Sequence, residues 1–157
     1  MATPDKATGS GTKALISTDG STFQKFASVT KLSMPKLTRG TVDVTDLNSY
    51  EDNDQMKEFL GDFIEADEVS IEGFVKKTDP GRTAAETAFY SGSIVSVKVV
   101  LPPAIGQTML VNGILTSYQP IGDVDAETGL KYAIGLKPTA KPAMSATSEQ
   151  DTQAASA

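Results

Sequence analysis

Carboxylates are the only abundant side chains in this sequence that could carry acid–base or metal chemistry. The 157 residues include 20 Asp and Glu but no His and no Cys. Without His, the commonest general base and metal ligand is missing, and the usual serine triad cannot be built. Without Cys, thiol catalysis, disulfides and the usual zinc clusters are excluded. We therefore predict no enzyme, no catalytic residue and no cofactor.

One pair of carboxylates, Glu65 and Glu68 with Asp67 between them, has a spacing that an acid/base site could use. A run of like charges is more typical of a solvated face. We interpret this pair as surface charge.

A second grouping, Asp123, Asp125 and Glu127, alternates as the oxygen ligands of a calcium loop do. Such a loop needs Gly at its sixth position and Glu at its twelfth, where this chain has Thr128 and Ile134. We therefore predict a solvated turn and no metal site. Neither a G-x-G-x-x-G motif nor a Walker loop is present in the sequence.

Composition and charge argue against two further classes of function, nucleic-acid binding and membrane anchoring. Hydrophobic content of 39% and charged content of 22% fit one globular domain. A net charge of −6 and a pI near 4.6 argue against nucleic-acid binding, which requires clustered Lys and Arg. No stretch has the length and apolarity of a membrane span or of a secretory signal, so we expect no membrane anchor.

The elements around these residues follow from turn signals and alternation. We predict strands over 13–17, 23–32, 41–45, 68–76, 93–101, 108–117 and 130–136, and a helix over about 79–91 that Asp79 and Pro80 begin. This pattern is typical of a mainly β fold, an antiparallel β-sandwich or partly open barrel with one flanking helix. We expect a flexible arm over 1–11, the β domain over 12–138 and a disordered tail over 139–157.

The stretch from Thr41 to Gly73 holds eleven of the 20 acidic residues and one base, Lys57. In it, a loop of about twenty residues, 47–67, joins two strands, and loops of that length are usually functional or disordered. We expect the isolated loop to be mobile and to contact neighbouring subunits through Met56, Phe59, Leu60, Phe63 and Ile64. The alternative is that Phe59 and Phe63, four residues apart, lie on a short amphipathic helix or pack in the domain's own core.

Alternation in the strand at 68–76 separates an apolar face from a polar one. Val69 and Ile71 share the first face, whereas Glu68, Ser70 and Glu72 share the second. We therefore expect the polar side of this sheet to be acidic and rich in hydroxyls.

Several strings, taken in order, resemble one protein family. STDGSTF, MPKLTRGTVDVTDLNSY, EADEVSIEGF, TDPG and LVNGILTSYQP are similar to the major tail tube proteins of long-tailed, non-contractile (siphovirus-type) bacteriophages. The resemblance covers roughly residues 12–137. Its most specific part is VDVTDL followed by a long acidic segment and EVSIEG.

The resemblance implies a structural virion protein that forms stacked hexameric rings, the tail tube through which DNA is ejected. It implies contacts with tail tip or initiator, tape-measure and tail terminator proteins, assembly in the host cytoplasm, and passage of DNA without specific binding. A bore that lets DNA slide should repel phosphate, and we take Asp43, Glu68 and Glu72 as candidates to line it.

Two other classes remain open. One is the inner tube of a contractile injection or type VI secretion apparatus, which would share the fold and add a sheath. The other is a monomeric β-sandwich module that binds glycans or a partner protein. Against that module, the chain has no Trp and only four Tyr and six Phe to form a sugar site.

Overall fold

The protein divides into two compact units, which the computed structural model describes over residues 6–148. The sheet unit comprises the described residues up to Met34 and those from Glu68 onward. The hairpin unit comprises Pro35–Asp67.

Strands outnumber helices in both units. In chain order the elements are β1 (Lys13–Ser17), β2 (Gln24–Lys25), β3 (Lys31–Ser33), β4 (Leu37–Asp43), α1 (Ser49–Asp52), β5 (Phe59–Ala66), β6 (Val69–Phe74), α2 (Pro80–Ser91), β7 (Ile94–Val100), β8 (Gln107–Gln119), β9 (Lys131–Pro138) and β10 (Ala143–Ala146). The hairpin unit holds β4, α1 and β5; the sheet unit holds the others.

The sheet unit contains one eight-stranded sheet in which every pairing is antiparallel. Its strand order is β2-β1-β7-β8-β9-β6-β3, and β10 pairs with β8 outside this path. The edge strands β2 and β3 are joined by residues 26–30 alone, so the two edges of the sheet lie within ~20 Å of each other. The sheet is therefore strongly curled but not closed, and the predicted fold class, mainly antiparallel β with a flanking helix, is confirmed.

Alternate residues of the strands form the core inside this curl. Val97 of β7, Val111 of β8 and Ile134 of β9 are almost fully buried, and Ala85 of α2 packs in the same cluster. Tyr132 is buried among them, and its hydroxyl donates a 2.7 Å hydrogen bond to the Ser28 carbonyl. The period of two in the sequence thus gives the inward face of each of these strands correctly.

Helix α2 begins and ends where the sequence predicts. The Asp79 carboxylate accepts from the backbone N–H of Arg82, and Pro80 occupies the first turn, where no N–H is needed. Gly92 ends the helix in the left-handed region at φ 71°, which costs glycine little. The prediction of a helix over 79–91 is confirmed.

The single strand predicted over 23–32 is wrong. The backbone N–H of Phe26 donates to Ala14 in β1, and that of Thr30 donates to Glu72 in β6. The stretch is therefore divided between β2 and β3, at opposite ends of the strand order.

The prediction that 47–67 is a loop is wrong for its second half. Residues Phe59–Ala66 form β5, which pairs with Leu37–Asp43 of β4, and Ser49–Asp52 form the short helix α1. The pairing register shifts between Arg39 and Thr41, where β5 contains one residue more than β4 between successive pairs. Such a bulge interrupts the period of two within β5. A separation of four residues, as between Phe59 and Phe63, fits a helix and a strand equally, so this spacing could not identify the strand.

The expected disorder from residue 139 onward is wrong for the part that is described. β10 pairs with Gln107–Leu110 of β8, and the Thr139 N–H donates to the Asn112 carbonyl. Backbone pairing orders this segment even though it has few apolar side chains. Residues 1–5 and 149–157, parts of the expected arm and tail, lie outside the described residues.

Candidate assembly surface

The hairpin unit is exposed along both of its strands. Apart from Ala66, which is half-buried, every residue of β4 and β5 is exposed. Among the described strands, β4 and β5 pair only with each other. A two-stranded hairpin is marginally stable in isolation, so this one is a candidate for stabilisation by a partner.

Cross-strand pairs divide the hairpin side chains between two faces. On one face, Asp43 pairs with Phe59 and Arg39 with Ile64, so the formal charge balances. We call this the neutral face. Consistent with the pairing, a Cβ placed on Gly61 would lie 3.1 Å from Cδ of Arg39.

The other face is acidic. Val42 pairs with Leu60 and Thr38 with Glu65, and a Cβ on Gly40 would lie 3.4 Å from Cβ of Asp62. We call this the acidic face: it presents the carboxylates of Asp62 and Glu65 beside the apolar pair, and its residues within β4 and β5 include no base.

The five residues predicted for inter-subunit contact are all exposed. Their exposed fractions are 67% for Met56, 54% for Phe59, 60% for Leu60, 85% for Phe63 and 55% for Ile64. The alternative that Phe59 and Phe63 pack in the domain's own core is therefore wrong. Contact with a neighbouring subunit stays a prediction.

Sequence reasoning missed further exposed apolar residues of the same unit. Leu37 is 49% and Leu47 97% exposed. Leu37 lies outside the strand predicted over 41–45, although β4 begins there. Val42 lies inside that predicted strand but not in the predicted contact set.

Several acids of the hairpin unit order its own loop. Asp46 accepts hydrogen bonds from the backbone N–H groups of Asn48 and Ser49. Asp43 accepts from the Thr45 N–H at 2.9 Å, and hydrogen bonding by the side chain and backbone of Thr45 lowers the pKa of Asp43. The connection between the strands therefore contains hydrogen-bonded turns. Its mobility in the isolated subunit stays a prediction.

The polar face of the large sheet, unlike the hairpin, is dominated by lysines. Lys31 of β3 lies opposite Glu72, Lys131 of β9 opposite Phe74, and Lys137 of β9 opposite Ile114. Lys13, Lys25 and Lys98 lie on the same side of β1, β2 and β7. The expectation of an acidic face is thus wrong: Glu68 and Glu72 share it with six lysines.

The three acids proposed for the bore belong to two different units. Asp43 belongs to the neutral face of the hairpin, whereas Glu68 and Glu72 belong to the sheet unit. The Glu68 carboxylate accepts a 2.7 Å hydrogen bond from the Thr116 hydroxyl. Whether any of them lines a bore stays a prediction.

The structure divides one of the two carboxylate groupings considered for chemistry between two units and places the other in a hydrogen-bonded turn. Glu65 and Glu68 lie in different units. Asp125 accepts hydrogen bonds from the backbone N–H groups of Thr128 and Glu127. These bonds, that from Thr128 above all, lower the pKa of Asp125.

Within residues 6–148, no group of three or more potential ligands could hold a metal ion. No helix in that range is both long and apolar enough to span a membrane.

Comparisons by sequence give no relatives: no family model matches the chain, and no curated protein matches it. Comparisons by structure, in contrast, find similar proteins. A chain in the C6-symmetric tail of an empty gene transfer agent particle aligns with a TM-score of 0.67 and 21% identity, covering 91% of this chain and 100% of that one.

Two further solved structures extend the likeness. The SPP1 tail tube aligns at a TM-score of 0.67 and 14% identity, covering 95% of this chain and 85% of that one. The sheath/tube terminator of an extracellular contractile injection system aligns at 0.68 and 14%, covering 92% and 100%. The chain therefore has a fold found in phage tail tubes, gene transfer agent tails and contractile injection systems.

Proposed function

We propose that this protein is a structural subunit of a phage tail tube. Six copies form a ring, the rings stack into the tube of a long, non-contractile tail, and DNA is ejected along its bore. The observation that carries the proposal is the hairpin unit, whose exposed strands present apolar side chains on both faces.

This exposure argues for assembly because large apolar side chains gain free energy when they leave water. At about 25 cal/mol per Å² of apolar area, burial of a few such side chains contributes several kcal/mol. Contiguous exposed apolar surface of this kind marks interaction sites. A monomeric recognition module would have no use for it on both faces of a marginal hairpin.

The hexameric ring is supported by the likeness to a tail with C6 symmetry. In a closed ring, open strand edges such as those of β4 and β5 can be covered by neighbours. The net charge of −6 per copy suits a conduit that DNA crosses without specific binding. A tail tip or initiator, a tape-measure and a terminator protein would be its partners, in a virion assembled in the host cytoplasm.

Electron microscopy of the purified protein tests this function. At high concentration, negative staining should show rods, and sedimentation should show large species in equilibrium with monomer. In the phage itself, deletion of the gene should abolish tails. A monodisperse monomer at every concentration and ionic strength, together with normal tails in the deletion, would overturn the proposal.

A contractile system is the second candidate, because its terminator structure aligns as well as the SPP1 tail tube does. Micrographs of native particles separate the two. A bare tube supports the non-contractile tail, whereas a sheath that shortens around the tube supports the contractile apparatus.

A further inference from the structure

The formal net charge of the chain lies entirely in the hairpin unit. Residues 35–67 include nine acids and three bases, so the unit carries −6, the value for the whole chain. The rest of the sequence holds equal numbers of acids and bases. This separation predicts that two copies attract each other when a hairpin meets a surface of opposite charge.

The sheet unit offers such a surface, which we call the lysine face. Its exposed lysines are Lys31, Lys131 and Lys137. The cross-strand pair of Ile94 and Ile114 lies beside Lys137 in the same register and is 60% and 37% exposed. The lysine face also holds Glu68 and Glu72, but its six lysines outnumber them. It therefore combines an excess of positive charge with an exposed apolar patch.

The acidic face of the hairpin has the matching composition. Its apolar pair, Val42 and Leu60, is 48% and 60% exposed. Asp62 and Glu65 lie on the same face, close to that pair. Strands of seven and eight residues span about 25 Å, comparable to the length of β9 between Lys131 and Lys137.

We propose that the acidic face of the hairpin of one copy docks on the lysine face of a second copy. Val42 and Leu60 bury against Ile94 and Ile114, and the carboxylates of Asp62 and Glu65 meet the ammonium groups of β9. This inference rests on the proposed function and names the two surfaces that join subunits. It also assigns the surroundings of Glu68 and Glu72 to an interface rather than to the bore.

We assign a second copy of this protein to the lysine face because the acidic face of the same chain carries the opposite charge. A hairpin with excess carboxylates cannot remain near another acidic surface without a cost in repulsion, whereas on the lysine face it meets an excess of cations. Contacts of this kind are screened by salt. Assembly should therefore weaken as ionic strength rises, although purely apolar contacts would not weaken in this way.

Paired charge reversals test the docking. One variant, Asp62→Lys with Glu65→Lys, inverts the acidic face; the other, Lys131→Glu with Lys137→Glu, inverts part of the lysine face. Matched controls make the same charge changes elsewhere: Glu51→Lys with Asp52→Lys on α1, and Lys77→Glu with Lys141→Glu outside the sheet strands. All eight residues are exposed, and circular dichroism with melting checks that each variant folds.

The readout is the critical concentration for polymerisation, measured by sedimentation. We expect each face variant alone to raise it by about tenfold or more relative to its control. An equimolar mixture of the two face variants should polymerise again, because each reversed hairpin then finds a reversed lysine face on its neighbour.

The other outcomes overturn the inference in distinguishable ways. Face variants that polymerise like their controls remove the docking but leave the tail tube function intact. Rescue in a single chain carrying all four reversals, without rescue in the mixture, would show that the contact forms within one copy. A wild-type protein that never polymerises would overturn both the inference and the proposed function.

Discussion

Single glycines decide how closely neighbouring segments of the sheet unit can approach. Gly113 of β8 and Gly73 of β6 are buried, and a Cβ on either would collide with a backbone carbonyl, of Lys137 and Ser28 respectively. Because a backbone atom cannot rotate away as the end of a side chain can, the strands themselves would have to move. Glycine is therefore required at these two positions because any Cβ would clash with the neighbouring backbone.

We expect Gly113→Ala to destabilise the sheet unit by about 1–3 kcal/mol through overpacking. The control is Gly9→Ala, since a Cβ there meets nothing within 4 Å. Urea unfolding of the two variants measures the difference. Equal stability of both variants would contradict the steric argument.

Asp19 gives the turn after β1 a pH dependence. Its carboxylate accepts from the N–H groups of Thr22 and Ser21 and from the Ser17 hydroxyl, and these bonds hold its pKa well below the ordinary 3.8. A depressed carboxyl pKa stabilises the fold above the unfolded value, and that contribution is lost as pH falls toward the folded value.

The free energy of unfolding of the wild type should therefore exceed that of Asp19→Asn at neutral pH, and this difference should shrink below pH about 4. Unfolding free energies of both proteins between pH 6 and pH 2.5 check this, because other acids titrate in both and cancel in the difference. A difference that stays constant over this range would show that the carboxylate charge does not matter.

At the scale of elements, the C-terminal strand closes part of the sheet. β10 covers Gln107–Leu110 of β8, and the hydroxyls of Thr108 and Thr147 lie 3.1 Å apart. Thr108 is almost fully buried under this segment. Without β10, four residues of β8 would lose their hydrogen-bonded neighbour on one side.

A chain that ends after Lys141 should melt at a lower temperature, by about 4–8 °C for a loss of about 2 kcal/mol. A chain that ends after Ser148 keeps β10 and is the matched control. Calorimetry of the two truncations measures the effect, and equal melting temperatures would mean that β10 adds no stability.

The hairpin unit should act in assembly and not in the stability of the monomer. Phe59→Ala with Phe63→Ala removes two exposed rings, so the monomer should unfold within about 0.5 kcal/mol of the wild type. Polymerisation should weaken strongly, since buried phenylalanines lost at a contact cost several kcal/mol.

Phe26→Ala is the contrasting variant. Phe26 is 2% exposed and stacks on Tyr132, so its truncation should lower monomer stability by about 3–5 kcal/mol. If the hairpin double variant destabilised the monomer as much as Phe26→Ala does, the hairpin rings would belong to a core and not to a contact surface.

At the scale of the whole molecule, the distribution of charge sets the behaviour of a tube. Acids at the bore repel passing phosphate, whereas acids at a contact between subunits bind lysines. The same residue type therefore has different consequences at the two places.

Separate lysine substitutions distinguish these places. If Asp43 lines the bore, Asp43→Lys should leave tubes intact and slow DNA ejection, because the new cation pairs with phosphate. Glu68→Lys with Glu72→Lys should leave ejection unchanged if the proposed docking covers the lysine face. Ejection rates of the two variant phages test both statements; slow ejection from the glutamate pair would place that face in the bore.

The sequence by itself determined the local features of this protein. The cap at Asp79 and the inward residues of β6 to β9 depend on neighbours within a few positions, so pattern and propensity were enough. The concentration of acid in residues 41–73 was also visible without a structure. It indicated a segment that could not form an ordinary core.

Only the tertiary structure decided which strands meet. Lys31 lies opposite Glu72, Lys137 beside Ile114, and β10 beside β8. None of these pairings could be read from alternation, because alternation gives two faces to each strand but not the strand that comes alongside. The lysine face exists only after strands distant in sequence are placed side by side, and the bulge in β5 sets the two hairpin faces in a similar way.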